Sequence, residues 1–109
     1  MAKHEFGIMQ KAPSKNRRYD KYEPQKYNCI SVRDDDLDNI IMCFDSIIFF
    51  SHTVAEPIMG LNYCGITLIP PKSMQAFISV IDGISNLSEL KSLMQKAYDE
   101  NKWVIHFGV

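Results

Sequence analysis

Reactive chemistry in this chain is confined to three histidines, three cysteines and one run of carboxylates. His4, His52 and His106 lie far apart, and neither CxxC nor HxxxH occurs. A metal site built from closely spaced ligands is therefore absent from the pattern, and no metal or cofactor is expected. The three rings can still converge in space, but a lone histidine on an apolar strand is more often one partner of a hydrogen bond. Cys64 precedes Gly65, whose backbone amide could face an anion, and a cysteine nucleophile needs an exposed, low-pKa thiol with a histidine nearby. Cys64 sits inside "NYCGITLI", where burial is expected instead. An enzymatic reading would rest on His52, Cys64 and His106.

The carboxylates begin at Asp34, Asp35, Asp36 and Asp38. An EF-hand loop needs Gly at its sixth position and Glu at its twelfth; counted from Asp34, those positions hold Asn39 and Asp45. The run suits a helix start. One of Asp34 to Asp36 would accept a backbone N–H as the cap, and its neighbours would face the positive end of the helix dipole. With Asp45 and Glu56 the run makes six acids between positions 34 and 56 with no base among them. Such a face speeds encounter with a cationic protein surface and repels nucleic acid.

The opposite charge is concentrated earlier. Residues 1–26 hold seven Lys/Arg against three Asp/Glu, while residues 27–71 hold one against six. Lys11, Lys15, Arg17, Arg18, Lys21 and Lys26 alternate with Tyr19, Tyr22 and Tyr27. Bases for phosphates and rings for nucleobases are what single-strand binding uses. Asp20 and Glu23 dilute the patch, and the formal net charge of −1 is unlike the basic balance of most nucleic-acid-binding domains. Three tyrosines so close together read as rings packed on the domain with their hydroxyls in water. The five scattered glycines match no phosphate-binding loop.

The elements that must position these residues follow from apolar spacing. Residues 4–9, "HEFGIM", form a short strand that would add at a sheet edge. Pro13 and Pro24 exclude a regular element from residues 10–25. Residues 27–32 are a β-branched strand. Leu37, Ile40, Ile41, Phe44 and Ile48 recur at helical spacing, predicting one amphipathic helix. Residues 48–54 and 63–69 are strands, the second apolar on both faces and so central, with a loop at 55–62. Gly65 marks a bulge or close backbone contact. A helix capped at Ser73 carries Met74, Phe77, Ile78 and Ile81 on one face and ends at Gly83. A second, opened by the Asn86–Glu89 pair, turns Leu90, Leu93, Met94 and Ala97 inward. Residues 102–109 close the chain as a strand, with Trp103, Ile105 and Phe107 on one face. The order predicts an α+β, ferredoxin-like split βαβ sandwich. Its antiparallel sheet has helices on one face, with the last strand beside the 27–32 strand and an N-terminal arm or edge strand added. "HEFGI" and "IHFGV" echo one another at the two ends but are too short for a repeat.

At 109 residues, 46% hydrophobic and 23% charged, the chain is long enough for one core. It reads as a single domain, 1–109, made of a strand and basic arm (1–26) and an α+β core (27–109). No run approaches the ~20 apolar residues of a membrane span, and the first thirteen residues hold no signal-peptide block. Cys29, Cys43 and Cys64, odd in number and set in apolar runs, read as reduced, buried thiols of a cytoplasmic protein.

The set "HEFGIM", "RRYDKYEPQKYNCISV", "GITLIPP" and "NKWVIHFGV" resembles a group of small bacterial proteins of this length, most without an assigned function and some labelled dehydrogenases. The chain is too short for a dinucleotide fold and lacks its glycine fingerprint, which argues against that label. By size, acidic patch and lack of a catalytic signature it also resembles the immunity proteins of bacterial toxin systems, including those of contact-dependent growth inhibition. The resemblance implies a non-enzymatic protein that blocks a cognate toxin domain, a nuclease for example, by occluding its basic active-site surface. The binding residues would be Asp34, Asp35, Asp36, Asp38, Asp45 and Glu56, with Tyr19 and Tyr22 as apolar anchors. Two alternatives stand beside it. One is a small ligand-binding or enzymatic ferredoxin-like domain, a homodimer, using His52, Cys64 and His106. The other is an RNA-binding module working through the basic arm.

Overall fold

Short apolar, β-branched and aromatic runs produce six short strands, and 3.6-residue spacing produces the two main helices. The computed structural model describes residues 2–109. The strands are β1 (Lys3–Met9), β2 (Ile30–Arg33), β3 (Ile48–Ser51), β4 (Pro57–Met59), β5 (Ile66–Ile69) and β6 (Trp103–Phe107). The helices are α1 (Asp34–Asp38), α2 (Met74–Ile81) and α3 (Ser88–Asp99), with short 3-10 turns between elements. The strands make one sheet in the order β2-β1-β6-β5-β3-β4, antiparallel at every pairing.

The α+β class and the antiparallel sheet agree with the expectation; the strand order departs from the ferredoxin-like one. β1 is not an edge. It lies between β2 and β6, with Phe6 opposite Ile30 on one side and His106 on the other. The reason is burial on both faces. Phe6 points to the helices and Met9 to the opposite layer, and His4 and Glu5 are buried as well. A strand apolar on both faces loses too much at an exposed edge.

Phe6, Val32, Phe49, Ile69 and Val104 of the sheet pack against Met74, Phe77 and Ile81 of α2 and Leu90, Met94 and Ala97 of α3. Each of these side chains larger than alanine contributes roughly 1.5–3 kcal/mol on burial. The other face carries Met9, Ile66, Leu68, Ile105 and Phe107, covered by Tyr19 and Tyr27 from the arm. The molecule is therefore layered as helices, sheet and arm. The arm, residues 10–29, holds only a 3-10 turn at Pro24–Tyr27, as the two prolines require. It comes so close to β1 that a Cβ on Gly7 would sit 2.7 Å from Cys29 Sγ and from Tyr27 Cβ.

Four local expectations are corrected. The helix predicted from residue 34 to 48 stops at Asp38, and a separate 3-10 turn, Ile41–Phe44, follows. Leu37 and Phe44 are both buried, so the spacing marked the correct inward residues; the β-branched Ile40 and Ile41 and the acids give the connecting turn little helical propensity. No aspartate caps α1: its cap position is Arg33, without a side-chain bond. Ser73 does hold the cap position of α2 but makes no side-chain capping bond, and α3 is preceded by Leu87 instead of Asn86. Ser73 Oγ donates to the Ile48 carbonyl at 2.6 Å, and Asn86 Nδ2 donates to Asp36 at 3.3 Å. Finally, the segment expected as a loop at 55–62 contains β4, paired with β3 through Ile48↔Met59.

Candidate functional site

The pairing of β1 with β6 and of β6 with β5 brings distant polar residues to one end of the sheet. His106 stands opposite Phe6 on one side and Thr67 on the other. His4, two residues before Phe6, lies on the same face. β2 runs into α1 beside them, which delivers Asp34, and the loop before β5 delivers Tyr63.

The resulting chain of contacts is continuous. The Asn62 backbone N–H donates to Thr67 Oγ1 at 2.9 Å, and Thr67 Oγ1 lies 3.2 Å from His106 Nδ1. His106 Nε2 is 2.9 Å from His4 Nδ1, and His4 Nε2 is 2.8 Å from Asp34 Oδ1. Tyr63 donates its hydroxyl to Asp34 Oδ2 at 2.5 Å. One assignment of protons satisfies every link. The carboxylate accepts from His4 Nε2–H, so a neutral His4 must accept at Nδ1. His106 then donates from Nε2 and accepts at Nδ1 from the threonine hydroxyl. Among the described residues no buried side-chain polar atom lacks a partner.

The electrostatics agree. Burial, assisted by His4, holds the His106 imidazole pKa down at about 3. The hydroxyl of Tyr63, followed by His4, keeps Asp34 below the usual carboxylate range. The same Asp34–Tyr63 bond lifts the tyrosine to about 12, so it keeps its proton. His4 and His106 are fully buried, which leaves neither nitrogen open to a substrate. The network locks three strands, β1, β6 and β5, to α1 and the β4–β5 loop. Its echo in sequence is the pair "HEFG" and "IHFG", which turn out to be neighbouring strands with adjacent histidines. Tyr63 and Asp34 as partners of this pair carried no such signal.

The residues of the enzymatic reading are not gathered. His52 Nδ1 lies 2.9 Å from the Tyr19 carbonyl and 3.1 Å from an Asp20 oxygen. It ties the arm to the end of β3, while His106 faces His4. Cys64 is exposed, as is Cys43, which corrects the expectation of burial; β5 begins only at Ile66. Cys29 is half-buried, and burial pushes its thiol up to about 12, far from the reactive range. The close backbone contact expected at Gly65 falls at Gly108 instead: a Cβ there would run into the Tyr63 carbonyl oxygen, whereas one on Gly65 would meet side chains, His52 Nε2 first at 3.1 Å.

The six acids do not form one patch. Asp35 and Asp38 are exposed on α1, Asp35 lying 3.5 Å from Arg33, while Asp36 takes the Asn86 amide. Asp45 precedes β3 and Glu56 follows it in the β3–β4 turn, 3.9 Å from Arg18. These two flank opposite ends of a four-residue strand. Of the proposed anchors, Tyr19 is 8% exposed and belongs to the layer over the sheet. Tyr22 is 61% exposed, its hydroxyl donating to the buried Glu5 and its ring edge-on to Phe107. No family model, curated protein or solved structure matches this chain.

Proposed function

We propose that the protein is a non-enzymatic binding domain of the immunity type, docking a cationic toxin domain on the end of the sheet that carries α1. The supporting observation is the setting of Tyr63. Its ring is 39% exposed, its hydroxyl is held by Asp34, and the charge of Asp38 acts on it. An aromatic side chain fixed in this way, beside the exposed carboxylates of Asp35 and Asp38, is a preorganised anchor in an acidic rim. Lys and Arg of a toxin's substrate groove would pair with the rim and be occluded. The cytoplasm is the compartment this reading requires.

Asp34 leaves the set of contact residues, because its carboxylate is committed to His4 and Tyr63. The experiment follows from that division. Binding to a basic toxin domain taken from the reading frames that neighbour this gene is compared for the wild type, an Asp35/Asp36/Asp38→Asn triple variant and Tyr63→Ala. The triple variant should lose association rate and salt dependence, and Tyr63→Ala should raise the dissociation rate, each by about tenfold or more. Equal rate constants for all three proteins would refute docking at α1.

A further inference from the structure

The arm does more than cover the sheet. Where it leaves β1 and doubles back, it encloses a cleft of about 290 Å³ beside the last residues of that strand. Its apolar side is Ile8 and Met9, and its aromatic side is Tyr19 and Tyr27. Three cations, Lys11, Arg17 and Lys26, line it as well, together with Gln10, Ala12 and Ser14 and no carboxylate.

Those cations are uncommitted. Among the described residues, none of the three lies within salt-bridge distance of an acid, whereas Arg18 is engaged by Asp20 and Lys102 by Glu100. Instead, the Arg17 guanidinium stands 4.7 Å from the centre of the Tyr19 ring, and Lys26 Nζ stands 5.7 Å from that of Tyr27. The charges are thus held over aromatic faces at the opening. Asp20 and Glu23 line the adjoining groove, which shares Arg17, Tyr19 and Lys26 with the cleft, and Asp20 is taken by Arg18 and His52.

The geometry points to a site for a small molecule that joins an anionic group to a planar ring, of the size and chemistry of a nucleoside monophosphate. Arg17 provides a planar fork and Lys26 and Lys11 point charges for a phosphate. The half-buried Ile8 and Tyr27 offer the ring an apolar surface, backed by the buried Met9 and Tyr19. The volume sets the upper size. It lies at the lower end of the roughly 300–1,000 Å³ typical of ligand sites, which suits a mononucleotide and not a dinucleotide. A polymer is a different occupant and is separated by the test.

The full chain, labelled with 15N, is titrated with AMP, adenosine, inorganic phosphate and a single-stranded RNA oligomer, and amide shifts are followed. AMP should move the amides of residues 8–19 and 26–27 in a saturable manner. Adenosine and phosphate alone should bind at least about tenfold more weakly, since each keeps half of the contacts. Arg17→Ala and Lys26→Ala, both at exposed positions, should each weaken AMP by about tenfold while the melting temperature stays the same. No shift at about 10 mM AMP, or phosphate binding as well as AMP does, would overturn the site. Affinity for RNA that grows with oligomer length and exceeds that for AMP would overturn the mononucleotide assignment in favour of a strand-binding surface.

Discussion

His106 is the residue whose neighbours decide most. It accepts from Thr67, donates to His4 and packs on Phe6, its ring 4.7 Å from that of Phe6. His106→Ala removes both hydrogen bonds and leaves a void, so it should cost about 3 kcal/mol in urea unfolding. The pH dependence has a definite sign. In the unfolded chain the imidazole binds a proton near 6.5, but in the folded protein only near 3. Between those values the unfolded state holds more protons, so stability is complete above about pH 6.5 and declines as the pH falls toward 3. Asp34, whose pKa is lowered in the fold, acts in the same direction at still more acid pH. Unfolding followed from pH 7 to 4 should show this decline, and His106→Ala should flatten it; an equally steep slope in the variant would assign it to other groups.

Among the elements, the arm is the one whose attachment rests on named contacts. Tyr19 N donates to the His52 carbonyl at 2.8 Å while His52 Nδ1 meets the Tyr19 carbonyl, and His52 adopts φ of 59° to do so. Tyr19→Ala should cost about 3 kcal/mol. Gly7→Ala should cost about 2 kcal/mol by forcing the arm off β1. In both variants trypsin should cut at Lys11 to Lys26 faster than in the wild type. A clear loss of stability with unchanged cleavage would show that the arm stays seated. The packed arm was legible because tyrosines repeat among prolines and bases, a composition that neither a free tail nor a regular helix uses well. Its route across Gly7 was not, since close approach of two backbones leaves only one small residue as a trace. α1 was misjudged for a related reason. Leu37 and Phe44 keep helical phase across a break, so periodicity reports which residues point inward without reporting whether the backbone between them is continuous.

At the level of the whole molecule, class and core were legible from the apolar spacing, and strand order was not. "HEFGIM" became an interior strand because its partners lie at the other end of the chain, and spacing along a sequence says nothing about such pairing. β4 was missed because three residues with a leading proline resemble a turn. That proline has a role at the open edge. The Gly60–Ile47 and Ser51–Glu56 bonds set the alternation of the β3–β4 ladder, which turns the backbone groups of positions 57 and 59 outward. Pro57 has no N–H, so the edge presents one outward donor where it would have two, beside a Met59 that is 56% exposed. Pro57→Thr should restore the second donor and raise self-association in sedimentation velocity; a variant that sediments like the wild type at every concentration would show that the proline does not guard the edge.

The β1–β6 pairing also governs how this molecule comes into being. Ile8 meets Val104 and Met9 meets Trp103 in the middle of the sheet, so the ladder joins residues separated by nearly the entire chain. Loop closure on that scale must precede its reward, which makes folding slow for a domain of this size. On the ribosome the N-terminal strand emerges first and finds neither its β6 partner nor the helices that rest on both. Assembly of the central ladder waits until Trp103–Phe107 have left the exit tunnel, and until then the apolar strand β1 is open to chaperones and to other nascent chains.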